Sequence, residues 1–180
     1  MINKKIWAAI GGAALLAAVA LPALAATDQG VTATVTPQNI SIIVSPTSVD
    51  YGTVAVPSVD LVPTGDTIIG ATNDGNITET FNIKGANATG TTKTWTIVDG
   101  APGGAETFNY NHKYADCGVG DSTCTTQDAV NNMTTGYETL EAGVAAGSSD
   151  YFRLRLSTPT ETGGDTSEHS TTVTVQAVAT

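Results

Sequence analysis

The chain has 180 residues, 17 acidic against 7 basic side chains, and a formal charge of -10, with 41% hydrophobic and 6% aromatic residues. That balance excludes a nucleic-acid binder, because phosphate backbones are held by Lys/Arg surfaces and beyond Lys4 and Lys5 only Lys84, Lys93, Lys113, Arg153 and Arg155 are basic. The acidic surplus fits solubility outside a cell.

In chain order, Lys4 and Lys5 precede an apolar run from Ile6 to Leu21 that ends in Pro22 and Ala23-Leu24-Ala25-Ala26. This is the layout of a secretory signal peptide over residues 1–26. No later stretch reaches the roughly 18 apolar residues of a membrane span. The expected destination is therefore secretion or the cell surface, with no membrane span after signal cleavage.

Val31, Ala33 and Val35 alternate with Thr32, Thr34 and Thr36 until Pro37, which predicts an N-terminal strand within a segment of residues 27–38. Ile40, Ile42 and Val44 continue the period of two and open the main domain, residues 39–180. Thr67 to Thr72 and Ile77 to Lys84 flank Asn73-Asp74-Gly75-Asn76, a spelling that predicts a tight hairpin in which Asp-Gly supplies positive φ. Glu79 interrupts the apolar phase of the second strand. Strands follow at Lys93–Val98 with Trp95 and Ile97, and at Glu106–Lys113 with Phe108 and Tyr110 on one face. A polar stretch from Tyr114 to Gly136 then reads as a long loop, with Thr125 and Asp128 spelling a capping box for a single helical turn through Met133.

Cys117 and Cys124 sit in this stretch, and in an oxidising compartment the only two cysteines of the chain pair with each other. Phe152, Leu154 and Leu156 against Tyr151, Arg153 and Arg155 give the clearest half-buried strand. The last strand has Val173, Val175 and Ala177 on its inner face.

Ser45-Pro46-Thr47-Ser48-Val49-Asp50-Tyr51-Gly52-Thr53-Val54, followed by Thr72-Asn73-Asp74-Gly75-Asn76, resembles the opening of Ig-like domains of the ASPM/Hydin and choice-of-anchor type. The resemblance covers about a fifth of the chain. It implies that Pro46 starts an edge strand, Tyr51 plugs the core and Gly52 allows a bend. The expected fold is all-β: an immunoglobulin-like antiparallel β-sandwich with an extra N-terminal strand and a disulfide-bearing loop.

Catalytic chemistry finds little support. Gly-x-Ser-x-Gly, His-Glu-x-x-His and a phosphate-cradling glycine loop are all missing from the sequence. The two imidazoles, His112 and His169, fall in contexts that predict surface positions. An enzyme is not expected, nor a cofactor. Asp116 with Asp121, and Glu161 with Asp165 and Glu168, supply hard oxygen ligands of the kind calcium takes. Asp and Gly in loops are also ordinary turn chemistry, so no metal site is assigned.

What remains is an interaction protein. Tyr151, Arg153 and Arg155 form a basic and aromatic stripe suited to an acidic neighbouring subunit or an anionic cell-envelope polymer, and Val31, Ala33 and Val35 could pair in a neighbour's sheet or in the chain's own. The expected function is a secreted structural or adhesive surface protein, self-associating by strand addition. The alternative is a carbohydrate- or ligand-binding accessory module with Trp95, Tyr110, Tyr114 or Tyr137 stacking on sugar rings.

Overall fold

Val, Ile, Thr and aromatic residues fit a pleated, half-buried surface, and the computed structural model is accordingly all-β. It describes residues 30–103, 108–126 and 128–180, and no helix occurs among them. None is therefore long and apolar enough to cross a membrane. The expected signal peptide lies outside the described residues. A compact unit spans Thr36–Thr180.

Among the described residues ten strands make two sheets: β1 (Ile42–Ser45), β2 (Ile68–Asn73), β3 (Glu79–Lys84), β4 (Ala88–Thr89), β5 (Thr94–Ile97), β6 (Asn109–Val119), β7 (Asn131–Asn132), β8 (Glu138–Val144), β9 (Ser149–Ser157) and β10 (Thr174–Ala179). The larger sheet has the order β1-β2-β9-β6-β5-β4, with β7 also on β6; the smaller is β10-β3-β8. All pairings are antiparallel except β5 with β6, which run parallel.

The period of two directs alternate side chains into one shared core. Ile69, Ala71, Phe152, Leu154, Tyr110, Tyr114 and Trp95 enter it from the larger sheet, and Phe81, Ile83, Leu140 and Val144 from the smaller. Each large apolar side chain buried here contributes roughly 1.5 to 3 kcal/mol relative to exposure. Glu79 shares the buried phase of Phe81 and Ile83. Its Oε1 accepts a hydrogen bond from the Ser41 N–H at 3.0 Å, so the interrupted phase marks a buried acid.

Three expectations need correction. The predicted hairpin does not form: β2 pairs with β1 and β9, while β3 pairs with β10 and β8, so Asp74-Gly75-Asn76 carries the chain from one sheet to the other. Gly75 is needed there for space, since a Cβ would lie 2.4 Å from both the Asn39 carbonyl oxygen and Glu79 Oε1. Asn73 holds the corner from within, its amide nitrogen donating to the carbonyls of Ile77 at 2.8 Å and Val144 at 2.9 Å.

The second correction concerns the polar stretch. β6 runs on through Tyr114 to Val119, and no helical turn follows. The Asp121 carboxylate instead collects the hydroxyls of Thr123, Thr125 and Thr126 and the Thr126 N–H. These bonds, the Thr126 N–H first, hold its carboxyl below the usual carboxylate range.

The third concerns the start of the chain. Residues 30–41 contain no strand, and Val31 and Val35 are almost fully exposed. Pro46 follows β1 and starts no strand of its own. Gly52 does take positive φ (68°), and Tyr51 packs against the core.

Candidate functional site

Tyr110, His112, Tyr114 and Asp116 occupy successive same-face positions of β6, and Asp150, Phe152 and Leu154 do the same on β9. Cross-strand register confirms the shared face, because Asp116 pairs with the buried Phe152, and Asp150 with the buried Ala71. Two carboxylates thus point inward from neighbouring strands of the larger sheet. A third comes from the smaller sheet, where register shifts on both sides of Phe81↔Glu141 mark irregularities in the β3–β8 ladder. Bulges re-aim side chains, and β6 has its own between Asp116 and Gly118.

One carboxylate oxygen from each of Asp116, Glu141 and Asp150 lies within 4.8 Å of the other two. Asp116 is 6% and Asp150 0% exposed. Asp116 Oδ1 accepts the Gly118 N–H at 2.7 Å. Neither oxygen of Asp150 has a hydrogen-bond partner among the described residues. Burial, and next the Asp116 charge, push the Asp150 carboxyl up to about 8. The same two causes, in the same order, raise Glu141. Such a trio can share protons or hold a hard cation.

The disulfide sits beside it. Cys117 follows Asp116 directly and bonds to Cys124 across a Cα–Cα distance of 5.0 Å. The Asp116 carbonyl accepts the Asp128 N–H at 2.8 Å, tying the far side of the loop to the same residue.

Elsewhere in the unit, a groove of about 1070 Å³ is lined by Tyr51, His112, Trp95, His169, Phe152 and Leu154, among others. Here the predicted surface positions of both imidazoles are overturned. His112 is 2% exposed and meets the Tyr51 hydroxyl through Nε2 at 2.9 Å. The His169 ring stacks on Trp95 at 4.0 Å between centroids. Trp95 Nε1, His112 Nδ1 and His169 Nε2 are buried polar atoms without a hydrogen-bond partner among the described residues, although His169 Nε2 lies 3.9 Å from the Asp165 carboxylate. Asp165 fixes the loop carrying His169. It accepts from the Thr92 and Lys93 N–H groups through Oδ2 and from the Ser167 N–H and hydroxyl through Oδ1. Those bonds, the Ser167 hydroxyl first, lower its pKa.

The predicted interaction stripe is less open than its spelling suggests. Tyr151, Arg153 and Arg155 are all half-buried on the outer face of β9. Arg153 pairs with Asp66 at 3.2 Å. The Tyr151 ring covers Gly70 of the neighbouring strand, where a Cβ would lie 3.0 Å from it. Val31, Ala33 and Val35 are exposed. Trp95, Tyr110 and Tyr114 are buried, so of the four aromatics named for sugar stacking only Tyr137 is exposed, with the Lys84 Nζ 4.4 Å from its ring centroid.

Glu141 and Asp150 escaped the sequence reading. The signal for Asp150 was its phase with Phe152 and Leu154, one residue before the expected strand; Glu141 gives no such signal, because its aim depends on local irregularity. Comparison of the chain with protein-family models, with curated proteins and with solved structures returned no match.

Proposed function

We propose that this is an exported structural or adhesive protein, built as an immunoglobulin-like sandwich, that associates with copies of itself by strand addition. The observation that supports it is that Val31–Thr36 has the alternation of a strand yet forms none. Its acceptor would be β10. That strand pairs with β3 in unbroken register from Thr174↔Lys84 to Ala179↔Glu79 and has no charged residue or proline. Edges that lack such guards invite pairing. The other edges are guarded: β8 by irregular register and two glutamates, β1 by its four-residue length and Pro46, β4 by its two-residue length. The leader-like residues 1–26 and the Cys117–Cys124 disulfide support an extracellular setting.

Electron microscopy and light scattering of the exported protein test this reading. Filaments are expected, and deletion of residues 27–36 is expected to abolish them without lowering the melting temperature. A chain that stays monomeric at every concentration, or polymerises equally well after the deletion, defeats it.

A second reading, a carbohydrate- or ligand-binding module, is favoured by the groove, where the Trp95 indole N–H and His112 Nδ1 lack hydrogen-bond partners among the described residues. A glycan array separates the two, with binding expected to depend on Trp95 if the groove is used.

A further inference from the structure

We propose that Asp116, Glu141 and Asp150 form a calcium site that clamps the two sheets together at the root of the disulfide loop. Acidic side chains gathered on a surface signify little, but Asp150 is different: it is 0% exposed, and its oxygens make no well-formed hydrogen bond among the described residues and face the carboxylates of Asp116 and Glu141. Burying a carboxylate with nothing to satisfy it is costly, and buried charges are ordinarily paired or bound to metal.

The trio has the chemistry of a hard cation. It contains oxygen donors only, with no imidazole or thiolate to favour zinc or copper. Calcium binds oxygen at roughly 2.3 to 2.6 Å, so two ligands on opposite sides of it stand up to about 5 Å apart. The separations here, all within 4.8 Å, fit that span. Magnesium sheds water reluctantly, which disfavours it where one ligand is wholly enclosed. The ligands come from β6, β8 and β9, hence from both sheets. A bound cation would replace carboxylate repulsion with a cross-link, and through the Asp116 carbonyl and Cys117 it would stiffen the loop as well.

The test is thermal unfolding of the full chain after chelation and again with about 10 mM calcium or magnesium chloride, well above the 10⁻⁴ to 10⁻³ M range typical of extracellular calcium modules. The expected result is a rise of about 5 to 10 °C with calcium and a much smaller one with magnesium. Asp150→Asn and Glu141→Gln should each lose the calcium response, while Asp121→Asn, whose carboxylate is occupied by threonines, should keep it. Should Asp150→Asn fail to fold, Glu141→Gln carries the comparison, because Glu141 is only half-buried. The proposal is overturned by the absence of a rise in the unaltered chain, by an equal rise with magnesium, or by a rise that persists in the folded trio variants. The site draws no residue from the 27–36 segment, so a chain that binds calcium without forming filaments, or the reverse, separates this inference from strand addition.

Discussion

The Tyr51 hydroxyl and His112 Nε2 meet at 2.9 Å, joining the segment after β1 to the inner face of the larger sheet. Burial pushes the imidazole down to about 4 from its ordinary 6.5. The native state therefore binds fewer protons than the unfolded chain between those values, and the stability that His112 contributes above pH 6.5 is lost as the pH falls toward 4. The loss amounts to about 3 kcal/mol. His112→Gln can still partner Tyr51 but does not titrate. Urea unfolding at neutral and acid pH should show the original chain losing that much relative to the variant. The comparison between two proteins matters because the raised Asp150 carboxyl acts in the opposite sense over the whole of that range.

Reducing the disulfide should loosen a loop and leave the sheets standing. The ring closed by Cys117 and Cys124 spans a sequence separation of 7, and chain-entropy reasoning gives such a ring about 2 to 3 kcal/mol. The double variant Cys117→Ala/Cys124→Ala should remain folded by circular dichroism. Its amide exchange should quicken over residues 118–130 and stay unchanged in β2 and β3.

Gly75→Ala is expected to be far more damaging than its place in a polar turn suggests. Its Cβ would press on Asn39 and Glu79 at 2.4 Å, and one of these is backbone and the other a buried acid. A loss of about 1 to 3 kcal/mol follows from the forced displacement. Gly136→Ala is the control, since a Cβ there would meet the Thr134 hydroxyl at 3.4 Å, an ordinary van der Waals distance. Denaturant midpoints compare the two.

Phe81 and Arg153 mark opposite ends of a stability scale. Phe81 is 0% exposed at the centre of the core, and Phe81→Ala should cost about 3 to 5 kcal/mol. Arg153 pairs with an Asp66 side chain that is 49% exposed. Exposed pairs contribute about 0 to 1 kcal/mol, so Asp66→Ala should change the melting temperature by little, and by less still at high salt.

The strands were legible wherever one face meets the core and the other meets water. β9 and β10 carry that alternation plainly, and β5 was visible in Trp95 and Ile97. β6 was cut short at Lys113 because Asp116 looks like a loop residue, although it continues the phase of Tyr110, His112 and Tyr114. The same truncation hid the inward aim of Asp116, whereas His112 lay within the expected strand and in phase with Phe108 and Tyr110, so its burial was there to be read. Asp74-Gly75 misled for another reason: local turn chemistry says that the chain bends, and only the distant partners β9, β10 and β8 decide which sheet each arm joins. Val31–Thr36 shows the converse, since alternation alone does not supply a partner.

The crossover at Asn73–Asn76 also has a consequence in time. Because β2 waits for β9 and β3 waits for β8 and β10, the first half of the polypeptide can form only the short β1–β2 ladder on its own and must stay largely open until its last third has been made. A polypeptide that postpones its own closure in this way passes through a window in which its unpaired strands are vulnerable to aggregation.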